Sequence, residues 1–262
     1  MFGQKCSVIG AVHVHALPGA AGYSGNMEQI INTALSDAIA YQKAGVDALV
    51  IENMHDVPYL KGYVEVETIA AMAVVASAIK KECHIPIGIQ ILAGANIEAL
   101  AVAHASDLDF IRVEGFVYAH IGDEGIHEAS AAQIIRKRAT IKAEKVKIFA
   151  DIKKKHSSHA ITEDISLIET ATTAEFFKAD GVVVTGLRTG DAPPANAVSE
   201  VKAAVSIPVL VGSGVTPDNI GNYAKHADGV IFGTYAKFDG NWVNDVDSER
   251  VKRLVDAAKK HQ

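Results

Sequence analysis

The sequence predicts a closed (β/α)8 barrel, and three observations predict it. Eight short apolar runs alternate with longer helical stretches along the 262 residues, the pattern of parallel strands joined by crossover helices. Most of these runs are apolar on both faces, as strands of a covered parallel sheet are. The last two runs lead into glycine-bearing loops, where closed barrels often hold a phosphate. The length is close to the ~250 residues of one such barrel, so residues 1–262 are read as a single domain. A doubly wound open sheet is the rival, and the regularity of the repeat favours closure.

The first strand is expected at Ser7–Val12, followed by a helix over Met27–Lys43. A second strand, Val46–Ile51, precedes a helix over Glu65–Lys81. Strands follow at Pro86–Leu92, Asp109–Val113, Lys147–Ile152, Asp180–Thr185, Pro208–Val211 and Asp228–Phe232. Ala48-Leu49-Val50-Ile51 and Val182-Val183-Val184 show no polar face. Several strands are announced alike: Ala44-Gly45-Val46-Asp47, Ala179-Asp180-Gly181 and Ala227-Asp228-Gly229 suit a helix end and a tight turn. Ile85-Pro86 and Ile207-Pro208 stop a helix before the next strand.

Composition narrows the function classes. Hydrophobic residues make up 49% and charged residues 21% of the chain, an ordinary globular balance. With 31 acidic against 25 basic residues the formal net charge is −6, which argues against nucleic acid as a partner. No apolar stretch approaches the ~20 residues that span a bilayer; Ile69–Ile79 is Ala-rich and bounded by Glu67 and Lys80. Membrane insertion is not expected. Cys6 and Cys83 are far apart, in no metal-like spacing, and read as reduced thiols. The first strand leaves no room for a targeting segment. A cytoplasmic protein is expected, with a mitochondrial one the alternative if a presequence precedes this chain.

The clearest chemical signal runs from Val209 to Ile220. An apolar strand enters Gly212-Ser213-Gly214, and Thr216-Pro217 is expected to open a helix. Glycines let backbone N–H groups crowd an anion, and a helix N-terminus adds a favourable field. Phe232-Gly233-Thr234 offers a second loop beside the first. Gly212, Ser213, Gly214, Gly233 and Thr234 are therefore the expected phosphate contacts.

Barrel enzymes place their chemistry where strands end. Those positions hold His13 and His15, Glu52-Asn53, Gln90, Arg112 and Glu114, Asp151 and Lys153, and Thr185. Residues two apart on a strand share a face, so each of the pairs His13/His15, Arg112/Glu114 and Asp151/Lys153 is expected to converge on the mouth. Carboxylates beside lysine or arginine there invite proton transfer; structural ion pairs are the alternative. No cofactor is expected. A divalent metal on His13, His15 and Asp151 is the alternative, though no complete ligand spacing is visible. The long segment Gly115–Ala129, with Tyr118, His120, Asp123, Glu124 and His127, reads as a loop facing the substrate.

Together these residues resemble the BtpA/SgcQ family of barrel proteins. The matching stretches begin with Ile9-Gly10-Ala11-Val12-His13, Leu17-Pro18-Gly19, and Gly45-Val46-Asp47 through Ile51-Glu52-Asn53. Phe110-Ile111-Arg112-Val113, Phe149-Ala150-Asp151-Ile152, Lys155-His156, Thr185-Gly186 and Thr189-Gly190 continue the match. It ends with Val211-Gly212-Ser213-Gly214, Ala227-Asp228-Gly229, Gly233-Thr234 and Lys237. The segment Gln90–Asn96 departs from the family's Asn-Val-Leu-Arg-Asn pattern. The resemblance implies a barrel of the ribulose-phosphate-binding type. It also connects the chain with photosystem I biogenesis in cyanobacteria and with a sugar-utilisation gene cluster in enterobacteria.

The expectation is an enzyme acting on a small phosphorylated metabolite, a sugar phosphate or ribose-phosphate derivative. Lys237, Asn53 and Thr185 would join the loop residues in binding. Asp151, Glu52, Lys153, Lys155, Arg112 and His13 would supply catalysis, with Asp151 or Glu52 as general base and a lysine stabilising negative charge. Isomerisation, lyase chemistry and glycosidic-bond cleavage stay open. The rivals are a non-catalytic stability factor for a membrane complex and a metal-dependent hydrolase. A homo-oligomer is compatible with all three.

Overall fold

A short aspartate-capped turn precedes four of the barrel strands and ties each to its neighbour. In the computed structural model, which describes residues 6–186, 188 and 190–261, the chain forms eleven strands and eight α-helices. Thr189 of the Thr189-Gly190 stretch lies outside the described residues. In chain order the strands are β1 (Ser7–His13), β2 (Ala48–Glu52), β3 (Ile87–Gln90), β4 (Phe110–Val113), β5 (His120–Gly122) and β6 (Gly125–His127). Then come β7 (Lys147–Ile152), β8 (Ser157–Ser158), β9 (Gly181–Thr185), β10 (Val209–Gly212) and β11 (Gly229–Phe232). The helices are α1 (Met27–Ala44), α2 (Val66–Glu82), α3 (Asn96–Ala105), α4 (Ala131–Thr140), α5 (Leu167–Phe176), α6 (Ala195–Ala204), α7 (Ile220–Tyr223) and α8 (Ser248–Lys259).

Strands β1, β2, β3, β4, β7, β9, β10 and β11 pair in parallel, and β11 closes on β1. This is the predicted barrel, with each of the eight expected strands present and its ends shifted by at most two residues. The turn residues explain the shifts. Gly45 ends α1 with φ +89°, and Asp47 accepts the Val8 N–H at 2.7 Å, so β2 starts after it. Asp109 does the same for Ile87 (2.9 Å), Asp180 for Ile148 (3.0 Å) and Asp228 for Val209 (2.7 Å). The aspartates read as turn formers thus also satisfy backbone donors at the N-terminal rim.

Inside the barrel, Ile9, Ala11, Ala48, Val50, Phe110, Phe149, Val183, Leu210 and Ile231 form an apolar plug. Phe110 and Phe149 meet edge to face, ring centres 5.4 Å apart. Their neighbours in register are glycines: a Cβ at Gly88 would lie 2.2 Å from the Phe110 ring, and one at Gly181 2.5 Å from the Phe149 ring. Large and small residues therefore alternate around the bore to fill it. A larger apolar cluster lies between strands and helices, including Tyr41, Met72, Leu100 and Leu254. Cys6 and Cys83 are buried thiols, and burial pushes the Cys6 thiol up to about 12.

Gly88→Ala is expected to destabilise the barrel by about 1–3 kcal/mol through overpacking. Phe110→Leu in the same chain should recover part of that loss. Denaturant unfolding of the two single variants and the double variant measures it, and strict additivity would contradict the packing account.

Candidate active site

The period of two along each strand carries the polar residues to one level above the plug. His13 follows Ala11, Glu52 follows Val50, Gln90 follows Gly88, Arg112 follows Phe110, and Asp151 follows Phe149 on the inward face. At their centre is the buried Arg112. Its Nε and Nη2 donate to Asp151 Oδ1 and Oδ2, each at 2.9 Å, and its Nη1 donates to Glu52 Oε1 at 3.0 Å. Burial opposes the guanidinium charge, but the Asp151 and Glu52 carboxylates more than offset this, and its pKa is raised. Space for the group comes from Gly212, where a Cβ would lie 3.2 Å from Arg112 Nη2 and 2.6 Å from a Val183 methyl.

A cavity of about 220 Å³ opens above this clamp. One wall is Ser213, Gly214, Val215 and Thr216; the other is Gly233, Thr234 and Tyr235, with His13, Glu52, Arg112, Lys155 and Arg250 completing it. Ser213 and Gly214 both have positive φ (+81° and +71°), and a Cβ at Gly214 would strike the Asp191–Ala192 backbone at 2.2 Å. Gly233 is as tightly constrained: its Cβ would lie 2.5 Å from His13 Nε2. The His13 Nδ1 faces the Trp242 carbonyl at 3.3 Å. Burial, then the charge of Lys237, lowers the His13 pKa to about 3, so the ring is neutral and Nε2 is left as an acceptor. Burial and the adjacent Arg112 also lower the pKa of Lys155. Arg250, from α8, stands over the Tyr235 ring at 4.5 Å and donates to the Tyr235 carbonyl at 2.6 Å.

Several expected site residues are turned elsewhere. Lys153 has φ +49°, which breaks the strand alternation, and its Nζ donates to the Thr162 carbonyl at 2.8 Å. Lys154 takes the inward place, pairing with Glu114 at 3.0 Å. Lys237 is buried away from the cavity, its Nζ 2.8 Å from Asp37 Oδ2 on α1. Asn53 is a buried staple: Oδ1 accepts the Leu92 N–H at 2.7 Å and Nδ2 donates to Asp56 at 2.8 Å. Asp151 is engaged through both oxygens by Arg112 and does not line the cavity. Gly212 and Thr185 likewise lie below it, in register with each other. Thr216-Pro217 opens a turn rather than a helix, since Asn219 Oδ1 accepts the Thr216 N–H at 2.8 Å and α7 has only four residues. Phosphate binding would then rest on loop backbone, not on a helix field.

The metal alternative does not assemble. His15 points out of the mouth onto His55, ring centres 5.0 Å apart. Among the described residues no three His, Cys, Asp or Glu side chains gather to hold an ion. The long segment after β4 is a hairpin, β5–β6, with β8 from the loop after β7 added to its edge. Glu124 at its tip approaches Lys154 at 3.7 Å and His127 at 3.2 Å. Arg250, Lys154 and Trp242 were not legible as site residues: Lys154 follows β7 past its last residue, Trp242 lies on the loop between β11 and α8, and Arg250 is on α8.

Fold and site together define a closed (β/α)8 barrel with a charged, glycine-walled cavity at the C-terminal face of its strands. The chain belongs to the BtpA family, whose sequence pattern matches residues 4–260. A mitochondrial protein of Caenorhabditis elegans is 44% identical, the match covering 95% of this chain and 91% of that one. The photosystem I biogenesis protein BtpA of Synechocystis is 33% identical over 95% of this chain and 87% of its own length. Among solved structures, phosphoribosyl anthranilate isomerase from Thermus thermophilus superposes with a TM-score of 0.61 at 13% identity, covering 98% of this chain and 100% of that one. (S)-3-O-geranylgeranylglyceryl phosphate synthase from Thermoplasma acidophilum, in complex with sn-glycerol-1-phosphate, gives 0.61 at 18% identity, covering 98% and 94%. At these identities the likeness is one of fold. Among the described residues no helix is long and apolar enough to cross a membrane.

Arg112→Met is expected to cost about 3–5 kcal/mol in denaturant unfolding, because it leaves the buried Glu52 and Asp151 without their counter-ion. Burial is also the first cause of the low pKa values of His55 and His120, both lowered to about 4. Below pH 6.5 these histidines, like His13, take up protons in the unfolded chain before the folded one. Stability should therefore be full above pH 6.5 and fall as pH drops from there toward 3. His13→Asn should shallow that fall; an unchanged slope would remove His13 from the account.

Proposed function

We propose that this protein is an enzyme acting on a small phosphorylated metabolite, with proton transfer at Glu52. One observation carries the reading: the two glycine-bearing loops and the Arg112 clamp border the same cavity. A phosphate against Ser213–Thr216 and Gly233–Tyr235, with Arg250 beside it, would leave the rest of the molecule over Glu52 and Lys155. Glu52 is held by one oxygen and keeps the other for substrate, whereas Asp151 has both on Arg112. Glu52 is thus the general base, and Asp151 positions the guanidinium. Lys155, whose amine loses its proton more readily than an ordinary lysine, stabilises the resulting negative charge or returns the proton. Isomerase and lyase chemistry both fit this pair. The similar barrels named for phosphorylated compounds support the substrate class.

A thermal-shift screen of phosphorylated sugars reads binding, since a ligand of the native state raises Tm by mass action. Gly233→Val should abolish the shift by filling the cradle. With a substrate in hand, Glu52→Gln should lower kcat by about 10²–10⁴ while the ligand-induced shift persists. Full turnover by Glu52→Gln would end its role as base.

A second reading takes its support from the Synechocystis relative, named for photosystem I biogenesis. It assigns the chain to the upkeep of a membrane complex without catalysis. Stable co-migration with such a complex after fractionation, unaffected by Gly233→Val and Glu52→Gln, would favour it over the enzyme.

A further inference from the structure

The mouth has a second lobe of about 320 Å³ beside the first, and Glu52, Met54, Arg112 and Lys155 border both. One molecule can therefore reach from the phosphate loops across the Arg112 clamp into this lobe. A three-carbon phosphate would fill the first lobe and leave the second to water. The walls of the second lobe are flat and apolar in part: Trp242, Tyr59, Leu92 and Met54. They are also fixed in place. The Trp242 ring rests on His55 at 5.0 Å and its carbonyl faces His13 Nδ1 at 3.3 Å. Tyr59 donates its hydroxyl proton to the Met54 carbonyl at 2.7 Å. Ordering these side chains is no longer a cost of binding.

Four carboxylates, Glu52, Glu114, Asp123 and Glu124, border the lobe beside Arg112, Lys154, Lys155 and His156. Glu114 is steadied by Gln90 at 3.1 Å and Lys154 at 3.0 Å, and Glu124 and Asp123 bring further carboxylates to the rim. Glu114 has both oxygens engaged, so Asp123 and Glu124 at the rim and the second oxygen of Glu52 are the acceptors left for a group that donates N–H bonds. An aromatic wall beside acceptors is the means by which proteins hold a nucleobase: stacking on the face, hydrogen bonds at the edge.

We propose that the second lobe receives a planar, N–H-donating heterocycle, so that the ligand is a nucleoside 5′-monophosphate, its phosphate at the glycine loops and its ribose over Glu52 and Lys155. This rests on the phosphate reading above and adds the other end of the molecule. Trp242 is the one tryptophan of the chain, so its fluorescence reports directly on a base stacked there.

The experiment titrates the whole protein with inorganic phosphate, ribose 5-phosphate, ribose 1,5-bisphosphate and the four ribonucleoside 5′-monophosphates, by calorimetry and by tryptophan emission. At least one nucleotide is expected to bind about tenfold or more tighter than ribose 5-phosphate and to quench Trp242. Trp242→Leu should reduce nucleotide affinity to that of ribose 5-phosphate, and Trp242→Phe, which keeps a flat wall, should retain nucleotide affinity within about threefold. Ribose 5-phosphate binding as tightly as every nucleotide, with no quenching, would overturn the heterocycle and leave the phosphate site standing. Tighter binding of the bisphosphate than of any nucleotide would overturn it too. Binding of none of these compounds would overturn both readings.

Discussion

The structure turns on a guanidinium held between two carboxylates at the top of an apolar plug. Arg112 comes from β4, Asp151 from β7 and Glu52 from β2, so one side chain joins strands on both flanks of its own. Only a planar fork can satisfy Asp151 with two parallel bonds and still reach Glu52; a lysine would offer a point charge and lose the geometry. The arrangement also allots the two acids different work. Asp151 is closed off beneath the arginine, while Glu52 is oriented by it and faces the cavity. His13, which is neutral, and Lys155, whose pKa burial and Arg112 lower, then complete the mouth.

The barrel was legible because its signals are periodic and redundant. Apolar runs on eight strands, helices between them and turn residues before them all point to one architecture, and a residue or two of error at an end changes nothing. The inward polar layer was legible for the same reason: Glu52, Arg112 and His13 lie at strand ends where alternation still holds. It failed one step further on. At Lys153 a positive φ breaks the alternation, so the run Lys153-Lys154-Lys155 presents its second and third lysines to the mouth and its first to Thr162. Lys237 looked like a phosphate ligand because it follows Gly233-Thr234 closely. Its partner, Asp37, is 200 residues away in sequence, and no local pattern reports such a contact. Arg250 and Trp242 were hidden likewise, one on a helix and one on the loop between β11 and α8.

The two ends of the barrel divide the labour of the chain. At the N-terminal rim, Asp47, Asp109, Asp180 and Asp228 each cap a backbone N–H of the neighbouring strand, joining β1 with β2, β3 with β4, β7 with β9 and β10 with β11. At the C-terminal rim Glu52 and Asp151 hold Arg112, and Glu114 and Glu124 hold Lys154. Carboxylates thus tie strands together at one end and set the charges of the mouth at the other, separated by the plug of Phe110 and Phe149.

Loops after barrel strands are commonly regarded as interchangeable parts, each free to be replaced without regard to the rest. The small sheet beside this mouth removes that freedom for two of them. β8 belongs to the loop after β7 and completes a hairpin that belongs to the loop after β4, through the pairs Ile121↔Ser158 and Gly122↔Ser157. Grafting either loop from a relative would leave an unmatched edge on the other. Divergence in this lineage, or redesign in the laboratory, must therefore carry the two segments as one inherited unit.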